Sequence, residues 1–180
     1  MEIPPPSSSP EKGSQLRQAL AERGVIVMKE SHVVARIPTE SLGPPLEIAG
    51  QILVRVRNSQ RNVTVGVRFE QSESSHNIAA VAFVDVDEVP ELLEALVFIN
   101  KAAAEMAGQQ RDYTEVSYST RDDMTLGFYH DAAKQRTFAR LDTGKRAIIL
   151  SANALGEIQN AIDQAQTYVS ERRKAWEPRS

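Results

Sequence analysis

The sequence predicts an α+β fold of two fused halves, each a set of antiparallel strands closed by a helix. Three observations carry this expectation. Short segments of alternating apolar and polar residues recur between turn residues, the period of half-buried strands. Two long segments with apolar residues at helical spacing, beginning near Asp87 and Ala152, each follow such strands. The third is a repeated pattern: NVTVGVRFE (62–70) and DMTLGFYHD (123–131) both alternate apolar residues, insert a glycine and then place an aromatic residue.

The elements follow in order. Residues 1–14 are rich in Pro and Ser with little to bury, so they predict an extended tail outside the fold. SQLRQALAERG (14–24) sets Leu16, Ala19, Leu20 and Arg23 on one face, with Ser14 as N-cap and Gly24 as stop, and predicts a short helix. VIVMKESHVVARI reads as one or two strands, and PTESLGPPLEIAG (38–50) as a turn-rich connection that breaks regular structure. Next come strand QILVRVRN, turn SQRN, strand VTVGVRFE, polar loop SESSHN and strand IAAVAFVDV. The helix after them carries Val89, Leu92, Leu93, Leu96, Ile99 and Ala103 on its apolar face, and Pro90 falls in the first turn, where a missing N–H is tolerated. From 112 the order returns. Strands are predicted at DYTEVSYS, MTLGFYHD, TFARLD and KRAIILS, then a helix burying Leu155, Ile158, Ile162, Ala165 and Val169.

The domain expected is therefore a single one over 15–170, made of two repeats at about 25–108 and 111–170, with a basic tail at 171–180. Superposing Gly66 on Gly127 places Val63, Val65 and Val67 on Met124, Leu126 and Phe128, so the inward phase agrees along that strand. The preceding strands agree only with a bulge or a one-residue slip there.

A duplicated ββββα unit resembles the single-stranded DNA-binding transcriptional regulator fold, which a coactivator family builds by dimerising ββββα subunits and the plant Whirly family by tandem repeat. GKRAIILSANALGEIQNAIDQAQTYV (144–169) looks like the coactivator segment that runs from a Gly-Lys-containing strand into the long C-terminal helix. The resemblance implies a pseudo-twofold domain that binds single-stranded nucleic acid. The Lys-Gly-Lys-Ala-Ala-Leu block of the Whirly family is absent, and NVTVGVRF stands where it is expected. FVDVDEVPELLEALVFIN followed by TEVSYSTRDDMTLGFY is also similar to a group of bacterial proteins that brings no assigned activity. LRQALAERGVIV followed by strands, helix, strands and helix is similar to the YbjN family, which implies a type III secretion chaperone-like fold.

Composition bounds the function. A chain of 180 residues, 41% hydrophobic, can bury roughly 70% of its unfolded surface without staples. It has no Cys, which removes disulfides, thiolate nucleophiles and Cys-ligated zinc and fits a reducing compartment. No membrane span or leader can be read, so the expected location is cytoplasmic, with no membrane partner. The net charge of −3 speaks against an indiscriminate nucleic-acid coat but leaves room for a local basic face.

Catalytic and metal-binding patterns are sparse. His32, His76 and His130 are isolated from any HxxxH or HExxH spacing, so neither metal nor cofactor is expected. His130 and Asp131 would point to opposite faces of a strand, which argues against a base and its orienter. Asp85, Asp87, Glu88 and Glu91 read as acids complementing a helix N-terminus in preference to a divalent-metal site. Gly144-Lys145 lacks the remainder of a P-loop and reads as a tight turn.

The basic residues carry the functional expectation. Between Glu47 and Glu70 the chain holds Arg55, Arg57, Arg61 and Arg68 and no acid. Arg55 and Arg57 share the strand face opposite Val54 and Val56; with Arg61 and Arg68 on that face too, the hairpin would present a cationic surface able to track phosphates. Phe69, Tyr118, Phe128, Tyr129 and Phe138 are the candidates for base stacking, with Phe128 assigned to the core by its phase. The expected protein is a non-enzymatic binder, either of single-stranded nucleic acid or, alternatively, of other proteins as an interaction or chaperone-like module.

Overall fold

The computed structural model describes residues 13–74 and 77–177, except for the side chains of 74, 77 and 79. The expected tail through residue 12, the terminal residues 178–180 and His76 lie outside the described residues. The elements are α1 (Gln15–Ala21), β1 (Ile26–Ile37), β2 (Leu46–Arg57), β3 (Gln60–Ser74), β4 (Asn77–Asp85), α2 (Val89–Met106), β5 (Thr114–Ser119), β6 (Thr125–Asp131), β7 (Arg136–Asp142), β8 (Ala147–Ser151) and α3 (Ala154–Arg173). The strands form two four-stranded antiparallel meanders, β1-β2-β3-β4 and β5-β6-β7-β8, which we call the first and second sheets. The class is α+β, with three helices among the described residues.

Local chemistry explains most boundaries. Ser14 caps α1 by accepting the Arg17 N–H at 3.1 Å. Asn58 and Ser59 both have positive φ, so β2 and β3 join through a two-residue turn of the kind that matches strand twist. Gly144, at φ 78°, lies in the tight turn closed by Thr143 N–H to Arg146 O at 3.1 Å.

The structure sharpens or corrects the sequence reading at several places. VIVMKESHVVARI is one strand, with a register shift between Val33 and Ala35. LEIAG, expected in a loop, begins β2, because Leu46 and Ile48 are buried and pair with Ile37 and Ala35. Helix α3 continues to Arg173, and Trp176 packs beside Val169. Gly66 lies on the third strand of the first sheet whereas Gly127 lies on the second strand of the second, so the two glycines are not equivalent. Alternation fixes the phase of a strand but carries no information on its rank in a sheet.

One core joins both sheets to α2 and α3. Of the eleven positions expected on the apolar faces of α2 and α3, ten are buried and Leu93 is half-buried. The helices cross over. α3, which follows the second sheet, packs across β1, β2 and β3, while α2, which follows the first, packs on β5 and β6 and against α3. Gly50 permits the first of these contacts: a Cβ there would lie 2.9 Å from Val169 and 3.2 Å from the Ala165 carbonyl.

The opposite face of the first sheet carries α1, whose Leu16 and Ala19 pack with Leu53 and Phe83. Gly66 lies beneath it, where a Cβ would meet Leu16 at 2.6 Å and overlap the Val84 carbonyl oxygen. Among the described residues, no helix is long and apolar enough to cross a membrane.

Candidate nucleic-acid interface

The arginines of the β2–β3 hairpin do not all share one face. Cross-strand partners point to the same side of a sheet. Ala49 pairs with Arg68, which puts Arg68 on the outer face with Arg55 and Arg57. Val56 pairs with Arg61, which puts Arg61 on the opposite side. The two-residue turn decides this, because it fixes the register that a longer turn would have shifted.

The outer-face arginines are also engaged with acids. Glu22, just after α1, lies 2.5 Å from Arg55 and 3.6 Å from Arg57, and Glu70 lies 2.9 Å from Arg68. Only Arg57 among these three side chains is more than half exposed, at 57%. Arg55, Arg57, Asn58, Gln60 and Asn62 line a shallow cavity of about 210 Å³ with Glu22. The hairpin's local charge, unopposed in the sequence, is thus partly neutralised by α1 and by Glu70.

The second sheet presents a different surface. The helices packed on it lie on its inner side, where Leu126, Phe128, Leu141, Ile148 and Leu150 are buried. Across its outer side the register aligns Glu115, Tyr129, Phe138 and Ser151 in one row and Ser117, Gly127, Arg140 and Ile149 in the next. The aromatic row extends beyond the strand end. Tyr113 stacks on Tyr129 at 6.3 Å between ring centroids, and Tyr129 on Phe138 at 5.6 Å. The ladder runs from exposed to buried: Tyr113 is 59% exposed, Tyr129 is half-buried and Phe138 is covered.

Cations surround this ladder. The Arg136 guanidinium and the Lys134 ammonium lie 4.9 and 5.3 Å from the Phe138 ring centroid. Arg140 is the register partner of Gly127 and pairs with Asp142 at 2.8 Å. Arg136 also pairs with Glu40 at 3.1 Å. Tyr113 donates to Glu115 at 2.6 Å, and this hydrogen bond raises its phenol above the usual value. The surface joins stackable rings to guanidinium groups within a short span of sheet.

Of the five stacking candidates, Phe69 and Phe128 are core, and Tyr118 faces α2, donating to Glu91 at 3.4 Å. Tyr129 and Phe138 are brought together. Tyr113 is a further member that the sequence reading does not select; its odd-numbered phase with Glu115 and Ser117 is the signal that places it on this face.

The remaining candidates have structural roles. Asp85 takes the α1 N–H groups of Gln15 and Leu16 at 2.7 and 3.1 Å, so the helix it complements is α1. Glu88 accepts the Arg121 N–H at 2.8 Å, and the Arg121 side chain lies 3.0 Å from Asp87. Burial raises the carboxyls of both Asp85 and Glu88. Among the described residues, no three His, Asp or Glu side chains converge in a way that could hold a metal ion. His130 is buried in β6, and its Nδ1 is 3.2 Å from the Thr137 hydroxyl; Asp131 accepts the Ala133 and Lys134 N–H groups. His32 stacks on Tyr168 at 4.4 Å.

Compared with known proteins, the chain matches no family model, no curated protein and no solved structure.

Proposed function

We propose that this is a non-enzymatic protein that binds single-stranded nucleic acid on the outer face of the second sheet. The observation that carries the reading is the ladder of Tyr113, Tyr129 and Phe138 bordered by Arg136 and Arg140. Bases stack on rings without regard to sequence, and each such contact contributes about 1–3 kcal/mol. Tyr113 and Tyr129 supply the accessible rings, Phe138 backs them, and the arginines meet phosphates. The outer-face hairpin arginines form a second cationic patch, to which Arg57 contributes the most exposed guanidinium group; Arg61 is exposed on the opposite face.

The order of four strands and a helix, twice over, supports a Whirly-like or coactivator-like reading of the fold. That likeness is one of architecture, and binding rests on the ladder. Titration of a labelled single-stranded oligonucleotide tests the function. Replacing both Tyr113 and Tyr129 with Ala should weaken binding by at least ~10-fold. Absence of saturable binding by the unmodified protein at low salt overturns the reading.

A further inference from the structure

We infer that the free edge of β5 is a docking site for an extended, basic peptide of another protein, which adds to the second sheet as a fifth strand. This surface is separate from the ladder and goes beyond the nucleic-acid reading. An outer strand leaves alternate backbone N–H and C=O groups without a neighbour, and proteins usually block such edges.

Three of the four sheet edges carry a blocking device. On β4, Asp122 accepts the Phe83 N–H at 2.9 Å and Arg17 donates to the Val81 carbonyl at 3.0 Å. On β8, the Ile149 carbonyl accepts the Glu40 N–H at 2.9 Å. β1 carries a register shift between Val33 and Ala35 that bends its edge. β5 is short and regular, and β6 is its one strand partner among the described residues.

The ground beside that edge is already laid. α2 packs on β5 and β6 from the inner side and leaves Phe98 66% exposed. Between helix and strand lies a mainly apolar groove of about 480 Å³, lined by Glu91, Glu94, Ala95, Phe98, Val116 and Tyr118. Residues 91, 95 and 98 share a helix face at spacings of four and three, so an added strand would set alternate side chains on Ala95 and Phe98. The same alternation carries the main-chain pairing and the apolar contact on one ligand.

Charge selects the occupant. Glu91 and Glu94 line the groove, and no cation lines it among the described residues. Neither Glu91 nor Glu94 has a cationic partner among the described residues. A second copy of β5 would bring these carboxylates against their own counterparts, whereas a strand whose inward phase sets Lys or Arg next to an apolar residue would meet Glu91 and Glu94 while that residue covers Ala95 and Phe98.

The test uses four synthetic peptides: one whose inward phase alternates Lys with Val or Ile and whose other phase is Thr, one with Glu in place of Lys, and two forms of the first, each N-methylated at the amides of one phase. Anisotropy titration should show saturable binding of the basic peptide and none of the acidic one. Phe98→Ala should weaken binding by at least ~5-fold, the loss expected of a buried aromatic anchor. Glu91→Gln with Glu94→Gln should weaken it and flatten its salt dependence. One N-methylated phase should bind and the other should not. Equal binding of both phases overturns strand addition. Absence of saturable binding of the basic peptide, or binding indifferent to Phe98 and to both glutamates, overturns the site. Dimerisation of the protein abolished by Phe98→Ala would assign the groove to a second copy and also overturn it.

Discussion

The Asp122 carboxylate, on the turn between β5 and β6, accepts the backbone N–H of Phe83 at 2.9 Å, across 39 residues and from one sheet to the other. The same carboxylate holds Arg17 at 2.6 and 2.7 Å and approaches the Ser14 N–H and hydroxyl at 3.5 and 3.4 Å. It is 1% exposed. One side chain therefore ties α1, the edge of the first sheet and a turn of the second. Asp122→Ala should destabilise the protein by about 3 kcal/mol, because buried donors and a guanidinium lose their acceptor together. Urea unfolding measures this; a loss under about 0.5 kcal/mol would reduce the contact to a surface pair.

Leu96 is fully buried between the sheets' shared core and α3. Leu96→Ala should cost about 2–5 kcal/mol, with the upper end expected if the site cannot collapse. Equilibrium denaturation decides, provided the slope with denaturant stays that of the parent.

Gly66→Ala tests the seat of α1. The new Cβ would overlap the Val84 carbonyl oxygen and sit 2.6 Å from Leu16, so strand or helix must shift. A loss of about 1–3 kcal/mol is expected. Hydrogen exchange should quicken over Gln15–Ala21 more than over α2; equal protection in both variants would show that α1 accommodates the methyl group.

Asp85 and Glu88 set the sign of one pH dependence. Burial raises both carboxyls in the folded state, so folded protein binds these protons more tightly than unfolded chain does. Their contribution is complete below the unfolded pKa and declines as pH rises through the ordinary carboxylate range toward the raised folded values. Glu88→Gln keeps an acceptor for the Arg121 N–H and removes the ionisation. The variant should be more stable than the parent at neutral pH, with the advantage gone near about pH 4. An advantage that grows on acidification would reverse the assignment.

Glu22 holds Arg55 and Arg57, so Glu22→Gln should release both guanidinium groups. On the proposal that the hairpin supplements the ladder, oligonucleotide binding should tighten and its salt slope steepen by about 0.7 for each additional phosphate neutralised. Reversing Arg55 and Arg57 to Glu should act in the opposite direction. Titrations indifferent to all three residues would confine binding to the second sheet.

Much of the fold was legible because periodicity records burial. The period of α2 and α3 identified every internal position chosen from it except Leu93, which is half-buried, and alternation gave the inward phase of β3 and β6. LEIAG was lost to its surroundings: Gly43, Pro44 and Pro45 punctuate the chain immediately before a strand, and propensity cannot show where a turn ends. The glycine pairing failed for a related reason. Gly66 and Gly127 each answer to close approach, one to α1 and Val84, the other to the backbone of Val116 and Ser117. Those neighbours are unrelated even though the flanking patterns match.

The amino-acid sequence by itself determined the class, the strands and helices in outline, the faces that turn inward and the density of arginine on one hairpin. These are properties of residues close along the chain, where backbone geometry converts spacing directly into direction. Only the tertiary structure decided that α2 and α3 exchange sheets, that Asp122 blocks the edge at Phe83, that Glu22 neutralises Arg55, and that Tyr113, Tyr129 and Phe138 stand in one ladder. Each joins residues from separate elements, and their meeting depends on register, crossing geometry and the space left by glycine, which local periodicity does not encode.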